Sequence, residues 1–173
     1  MTLGGALTSA TGGAVQGQTP PISWVELGPG GGLIARVITA GACPSVSLPT
    51  GRTPTTLRAR ASADFPVQVC EAALPPGAVA LPGHPPRRIV VIGDTGCRVE
   101  GEGAAAWAQA CHDPLEWSWA KTAASAAAWH PDLVIHVGDL LYRESECPPG
   151  SAGCLGDPWG YRWATFNADF FAP

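Results

Sequence analysis

At 173 residues the chain is long enough to bury a real core, as one ordinary domain or two small ones. Its 14 acidic and 10 basic side chains give a formal charge of −4, which excludes the electrostatic footprint of a general nucleic-acid binder. Lys121 is the single lysine, so no polybasic membrane patch exists, and no apolar run approaches the ~20 residues that span a bilayer. Gly (22) and Pro (18) are abundant, but 46% hydrophobic content argues for a soluble globular chain rather than a disordered one.

Residues 1–21 are Gly, Ala, Thr and Ser with hardly a large apolar side chain, and read as a disordered lead-in that does not make a convincing signal peptide. From residue 22 to 82 short alternating stretches appear: Leu33 to Thr39, Thr56 to Arg60, and Phe65 to Val69. Gly and Pro clusters separate them, so four or five short antiparallel strands are expected, forming a small all-β, sandwich-like unit. Leu81 to Pro86 is the linker candidate, since adjacent prolines favour an extended spacer.

Beyond residue 87 the pattern is α/β. Arg88 to Ile92 is a continuous β-branched run, expected to be a strand buried on both faces of a parallel sheet, and it ends at Gly93-Asp94-Thr95-Gly96. Asp113-Pro114-Leu115-Glu116 has the residues of a helix start, with Asp113 as cap and Glu116 three positions on; the Ala-rich helix is expected to reach Trp129. Leu115, Trp119, Ala123, Ala126 and Ala127 can share one face. Asp132 to Val137 repeats the buried-strand pattern and ends at Gly138-Asp139. Strand, helix, strand is a βαβ unit with parallel strands. Trp159 to Phe171 is expected to be an amphipathic helix with Trp163, Phe166 and Phe170 on one face.

The six cysteines, Cys43, Cys70, Cys97, Cys111, Cys147 and Cys154, include no C-x-x-C pair. An even count at wide spacing fits three disulfides and a periplasmic or secreted protein. Fifteen pairings are open; the near-neighbour set is expected, Cys43–Cys70, Cys97–Cys111 and Cys147–Cys154.

Ligands of open parallel sheets bind beyond the carboxyl ends of the strands. Two adjacent strands that both end in Gly-Asp would set Asp94 and Asp139 side by side at that edge. Neighbouring carboxylates repel unless a positive charge lies between them, and a multivalent metal ion is the usual solution.

The segments Ile92-Gly93-Asp94-Thr95-Gly96 and Val137-Gly138-Asp139-Leu140-Leu141-Tyr142 resemble the first two motifs of calcineurin-like metallophosphoesterases, in the purple acid phosphatase-like branch. Most of that superfamily has D-x-H in the first motif; here the His position is Gly96, and Tyr142 stands where the purple branch carries its iron-binding tyrosine. The resemblance implies hydrolysis of phosphate esters at a dinuclear site, with Fe(III) and a divalent ion (Zn, Fe or Mn) as cofactors. In it Asp94 would hold the first metal, Asp139 would bridge the two, and Tyr142 would bind as phenolate, a hard donor for a hard trivalent ion. The substrate would be a phosphorylated small molecule or protein. Residues 22–82 also resemble the fibronectin-type unit that often precedes such catalytic domains. The family's later G-N-H-[DE], V-x-x-H-like and G-H-x-H motifs are not found, so residues 87–173 are expected to be the N-terminal, truncated part of the catalytic domain, with little turnover in isolation.

Outside the motifs, His136 is expected to be a hydrogen-bonded core histidine, His112 and His130 solvated helix caps, and Arg143, Glu144 and Glu146 surface charges. Cys147 to Cys154 is expected to form a pinned rim loop beside the site. Two other readings compete. One is a non-catalytic binding or structural module. The other is an aspartic protease-like hydrolase, from Asp94-Thr95-Gly96, which the Ala-rich helix where a flap hairpin belongs argues against.

Overall fold

The computed structural model describes residues 21–49, 51–78, 86–101 and 106–173. The expected lead-in, except Pro21, and most of the expected linker lie outside these residues. The described chain is mixed, mostly strands in small sheets with few helices.

Six strands occupy the first part: β1 (Ile22–Leu27), β2 (Leu33–Thr39), β3 (Ser45–Leu48), β4 (Gly51–Pro54), β5 (Thr56–Ala59) and β6 (Gln68–Leu74). Four form one antiparallel sheet in the order β1-β2-β6-β5, while β3 and β4 pair as a separate hairpin. Alternation decides which face is inside: Ala35 and Val37 of β2, and Cys70, Ala72 and Leu74 of β6, are buried. Val46 and Leu48 of the hairpin pack against Ala35 and Leu74, so the second layer is two strands only. On the opposite face Arg36 lies across from Trp24 and Glu71 in the ladder and pairs with Glu26 (2.8 Å) and Glu71, a cross-strand charge cluster. The strand expected at Phe65 begins at Gln68 instead. Pro66 has no N–H for the ladder, and Phe65 packs on Tyr161 and Phe166.

The second part has β7 (Ile89–Ile92), a short hairpin of β8 (Val99–Glu100) and β9 (Trp107–Ala108), α1 (Trp119–Ala128) and β10 (Leu133–His136). Strands β7 and β10 pair in parallel from Ile89↔Leu133 to Ile92↔His136, with α1 in the crossover. These strands are not buried on both faces, because a two-stranded sheet has too little cover: Val91 is 60% exposed and Ile135 41%. Nor does α1 start at Asp113. The Asp113 carboxylate accepts from the N–H of Leu115 (2.8 Å), closing a local turn, and Glu116 turns away to accept from the N–H of Ala110 (3.0 Å). Leu115 is consequently exposed, Ala127 is exposed too, and Trp119 is the buried residue of the helix.

The last helical segment begins at Trp163, after Gly160 at φ +79°, and not at Trp159. It comprises α2 (Trp163–Phe166) and a wider π-helical turn over Asn167–Phe171, closed by Ala172 N–H to the Asn167 carbonyl (2.8 Å). The changed pitch splits the expected aromatic face. Phe166 packs on Phe65 and Tyr161, whereas Phe170 stacks on Trp119 and meets His136 edge-on. Trp163 and Trp24 both pack on Phe171, and the N–H of Trp163 donates to the carbonyl of Asp64 (2.8 Å), so the first β unit grips this segment.

The disulfides are Cys43–Cys70, Cys97–Cys111 and Cys147–Cys154. The core of the second part is built on the last two: Cys97, Val99, Cys111 and Cys154 are buried together, with Cys147 packed against them. Such bonds suit an oxidising compartment, and no described helix is long and apolar enough to cross a membrane.

Candidate functional site

Beyond the carboxyl ends of β7 and β10 the chain leaves each strand by the same turn. Asp94 and Asp139 both adopt left-handed backbone conformations, φ 51° and 62°. Non-glycine residues rarely occupy that region, although Asp is among the more tolerant. The two turns are laced together: Asp94 N–H donates to the Gly138 carbonyl (3.3 Å) and Thr95 N–H to the Asp139 carbonyl (3.0 Å). Residues in strained conformations at matched positions are a recurrent mark of binding sites.

Tyr142 completes the group. Its phenol donates to Asp94 Oδ1. That hydrogen bond, seconded by burial and by the nearby Asp139 carboxylate, pushes the phenol up to about 12. The phenolic proton therefore lies where two carboxylates converge. Gly96 makes the approach possible. A Cβ there would stand 2.9 Å from the Tyr142 nitrogen, 3.0 Å from the Leu140 carbonyl oxygen and 3.1 Å from Asp169 Oδ2.

Below this group lies a network that sequence reasoning missed. Arg143, expected at the surface, is only 3% exposed. Its guanidinium pairs with Asp169 and Asp157 and lies over the ring of Trp117 at 5.4 Å. Asp169 is fully buried. Burial pushes its carboxyl above the ordinary range, against the pull of Arg143 and of the backbone N–H groups of Cys97 and Tyr142. It thus joins both motif turns at once. His112 is exposed, as expected, and its Nε2 also meets Asp157 at 2.8 Å. Charge next to a motif reads as surface by default; what buries Arg143 is the return of Asp169 from 26 residues downstream.

His136 is hydrogen-bonded as expected, although it is half-buried and not in the core. Its Nδ1 accepts from the Gly138 N–H (3.1 Å), which leaves the proton on Nε2, 3.4 Å from Thr95 Oγ1. Burial depresses its pKa below 6.5, with Asp139 pulling partly the other way. On acidification the unfolded chain takes up this proton first, so the stability contributed by neutral His136 is present above 6.5 and is lost as pH falls through 6.5 toward the folded value. His136→Gln is expected to flatten the decline in urea midpoint between about pH 7 and pH 5.

His130 and the carboxylates of Glu144 and Glu146 are exposed. The Cys147–Cys154 loop does not line the cleft. Cys154 is buried in the disulfide core, and a Cβ on Gly153 would come within 2.6 Å of Ala110, so the loop is packed underneath.

A cleft of about 550 Å³ opens beside Asp94. Tyr142, Arg98, Trp107, Trp117 and Trp119 contribute to its walls. The segment between the two aspartates holds a short hairpin as well as a helix, so a hairpin's absence does not argue against a protease. What does is the partner of Asp94, which is a phenol where an aspartic dyad shares its proton between two carboxylates.

Among the described residues no three His, Cys, Asp or Glu side chains gather as a metal-holding group. The donors that do gather are two carboxylates and a phenol, all oxygen, a set suited to one hard cation. In comparisons with known proteins the chain matches no family model, no curated protein and no solved structure.

Proposed function

We propose that this chain contributes the metal-holding edge of a hydrolase for phosphate esters. The carrying observation is the hydrogen bond from Tyr142 to Asp94 at the turns laced together beyond paired parallel strands. In this reading Asp94, Asp139 and Tyr142 hold a ferric ion, and Asp139 is also the donor shared with a divalent Zn, Fe or Mn ion. Two such ions would supply Lewis acidity and a hydroxide nucleophile. The chain's own part is to place three oxygens at one point, to surrender the phenolic proton when a cation replaces it, and to shield the turn from below with the Arg143–Asp169 pair.

The competing reading is a binding or structural module, and metal binding separates the two. Loading with Fe(III) is expected to produce a visible tyrosinate-to-iron absorption band. Tyr142→Phe should abolish the band, and Asp94→Asn should weaken iron retention in dialysis by at least tenfold. An unchanged band and iron content in both variants would remove the basis for the hydrolase reading.

A further inference from the structure

Arg98 is a cation at the edge of the site that the ion pairs leave unused. No ion pair joins it to a carboxylate among the described residues. Its backbone is pinned on both sides by Gln109, through Gln109 N–H to the Arg98 carbonyl (2.8 Å) and Arg98 N–H to Gln109 Oε1 (3.1 Å). Its guanidinium lies 4.6 Å from the centroid of the Tyr142 ring. Stacking occupies the flat face of a guanidinium and leaves its in-plane N–H fork free, the geometry that receives a phosphate in bidentate fashion. Arg98 lines the cleft that Asp94 also lines.

Trp107 stands beside it. Glu100 faces Trp107 in the β8–β9 ladder, and Arg98 is two residues before Glu100, so Arg98 and Trp107 share one face of the hairpin as a diagonal pair. Diagonal partners lie roughly 7–8 Å apart. Trp107 is 52% exposed, and its indole lines the same cleft. Glu116, the other acid lining the cleft, has its carboxylate engaged by the Ala110 N–H (3.0 Å).

We propose that Arg98 and Trp107 form a recognition subsite for a phosphate monoester with a flat aromatic leaving group, the guanidinium holding the phosphoryl oxygens and the indole the ring. For its role in turnover the subsite rests on the phosphoesterase reading above; for binding it stands on its own residues. The test is a ³¹P NMR titration of the full chain with phenyl phosphate and with inorganic phosphate, each in EDTA and in saturating Zn(II).

Phenyl phosphate is expected to bind more tightly than inorganic phosphate, and both more tightly with zinc present. Arg98→Gln should weaken both ligands at least tenfold, with Arg98→Lys recovering only part because an ammonium cannot fork. Trp107→Ala should weaken phenyl phosphate several-fold and leave inorganic phosphate unchanged. If zinc has no effect while Arg98→Gln still weakens binding, the metal reading fails and the subsite stands. If zinc tightens binding but Arg98→Gln changes nothing, or if wild type binds neither ligand, the subsite is overturned. Equal phenyl phosphate affinity in Trp107→Ala and wild type overturns the aromatic half.

Discussion

Asp169→Asn is expected to lower the free energy of unfolding by about 3–5 kcal/mol, measured by urea denaturation at neutral pH. The substitution preserves shape and removes charge, so it leaves the buried Arg143 guanidinium short of one anion. Asp157 remains on Arg143, which favours the lower end of that range. For a domain whose whole stability is about 5–15 kcal/mol, the loss is severe. Replacing both members, as in Arg143→Met with Asp169→Leu, is expected to cost less than the single change, because the one carboxylate then left without its guanidinium, Asp157, keeps His112 as a partner. A loss below about 0.5 kcal/mol for Asp169→Asn, the range of an ordinary surface substitution, would show that the pair does not support the fold. Asp169 Oδ2 lies against Gly96 beside the Tyr142 nitrogen, so in the reading proposed above the variant should retain less iron as well as being less stable.

Placing a histidine at Gly96, as the proposed phosphoesterase reading would invite, should harm this protein. Gly96→His places a Cβ within 2.9–3.1 Å of two backbone atoms and of the buried Asp169 carboxylate. None of these is the free end of a flexible side chain, so the 140–142 turn must move. Overpacking of this kind costs about 1–3 kcal/mol. Gly96→Ala should lose nearly the same amount, since the clash belongs to the Cβ and not to the imidazole. Tyr142 rides on the displaced turn, so Gly96→His is expected to bind iron more weakly than wild type despite its added ligand. Tighter iron binding with unchanged urea midpoint would mean that the two turns are not in close contact. Gly96 and Tyr142 are in this view a single adaptation: the small residue admits the turn that delivers the phenol.

Parts of this site can be read residue by residue along the chain. The βαβ order follows from two β-branched runs around an Ala-rich stretch, and the pairing of β7 with β10 places both Gly-Asp turns together. The three disulfides join the near-neighbour cysteines, where loops are short. The helix start was less legible. Asp113, Pro114 and Glu116 have the composition of a cap, but the carboxylates of Asp113 and Glu116 accept from the N–H groups of Leu115 and Ala110, and a composition signal does not distinguish an Asx turn from a helix N-terminus. The π-helical turn at Asn167–Phe171 was not legible at all, and it sends Phe166 and Phe170 to different partners.

Local chemistry in the sequence pointed to the alternating and β-branched strands and to the residues offered at their ends, and it favoured the near-neighbour cysteine pairing among fifteen, because each signal depends on neighbours close along the chain. The burial of Arg143 by Asp169, the placement of the Arg98 guanidinium over Tyr142, the close packing at Gly96 and the exposure of the parallel pair were decided only by the tertiary structure. A charge is unpaired, or a glycine indispensable, only with respect to what the distant chain brings against it.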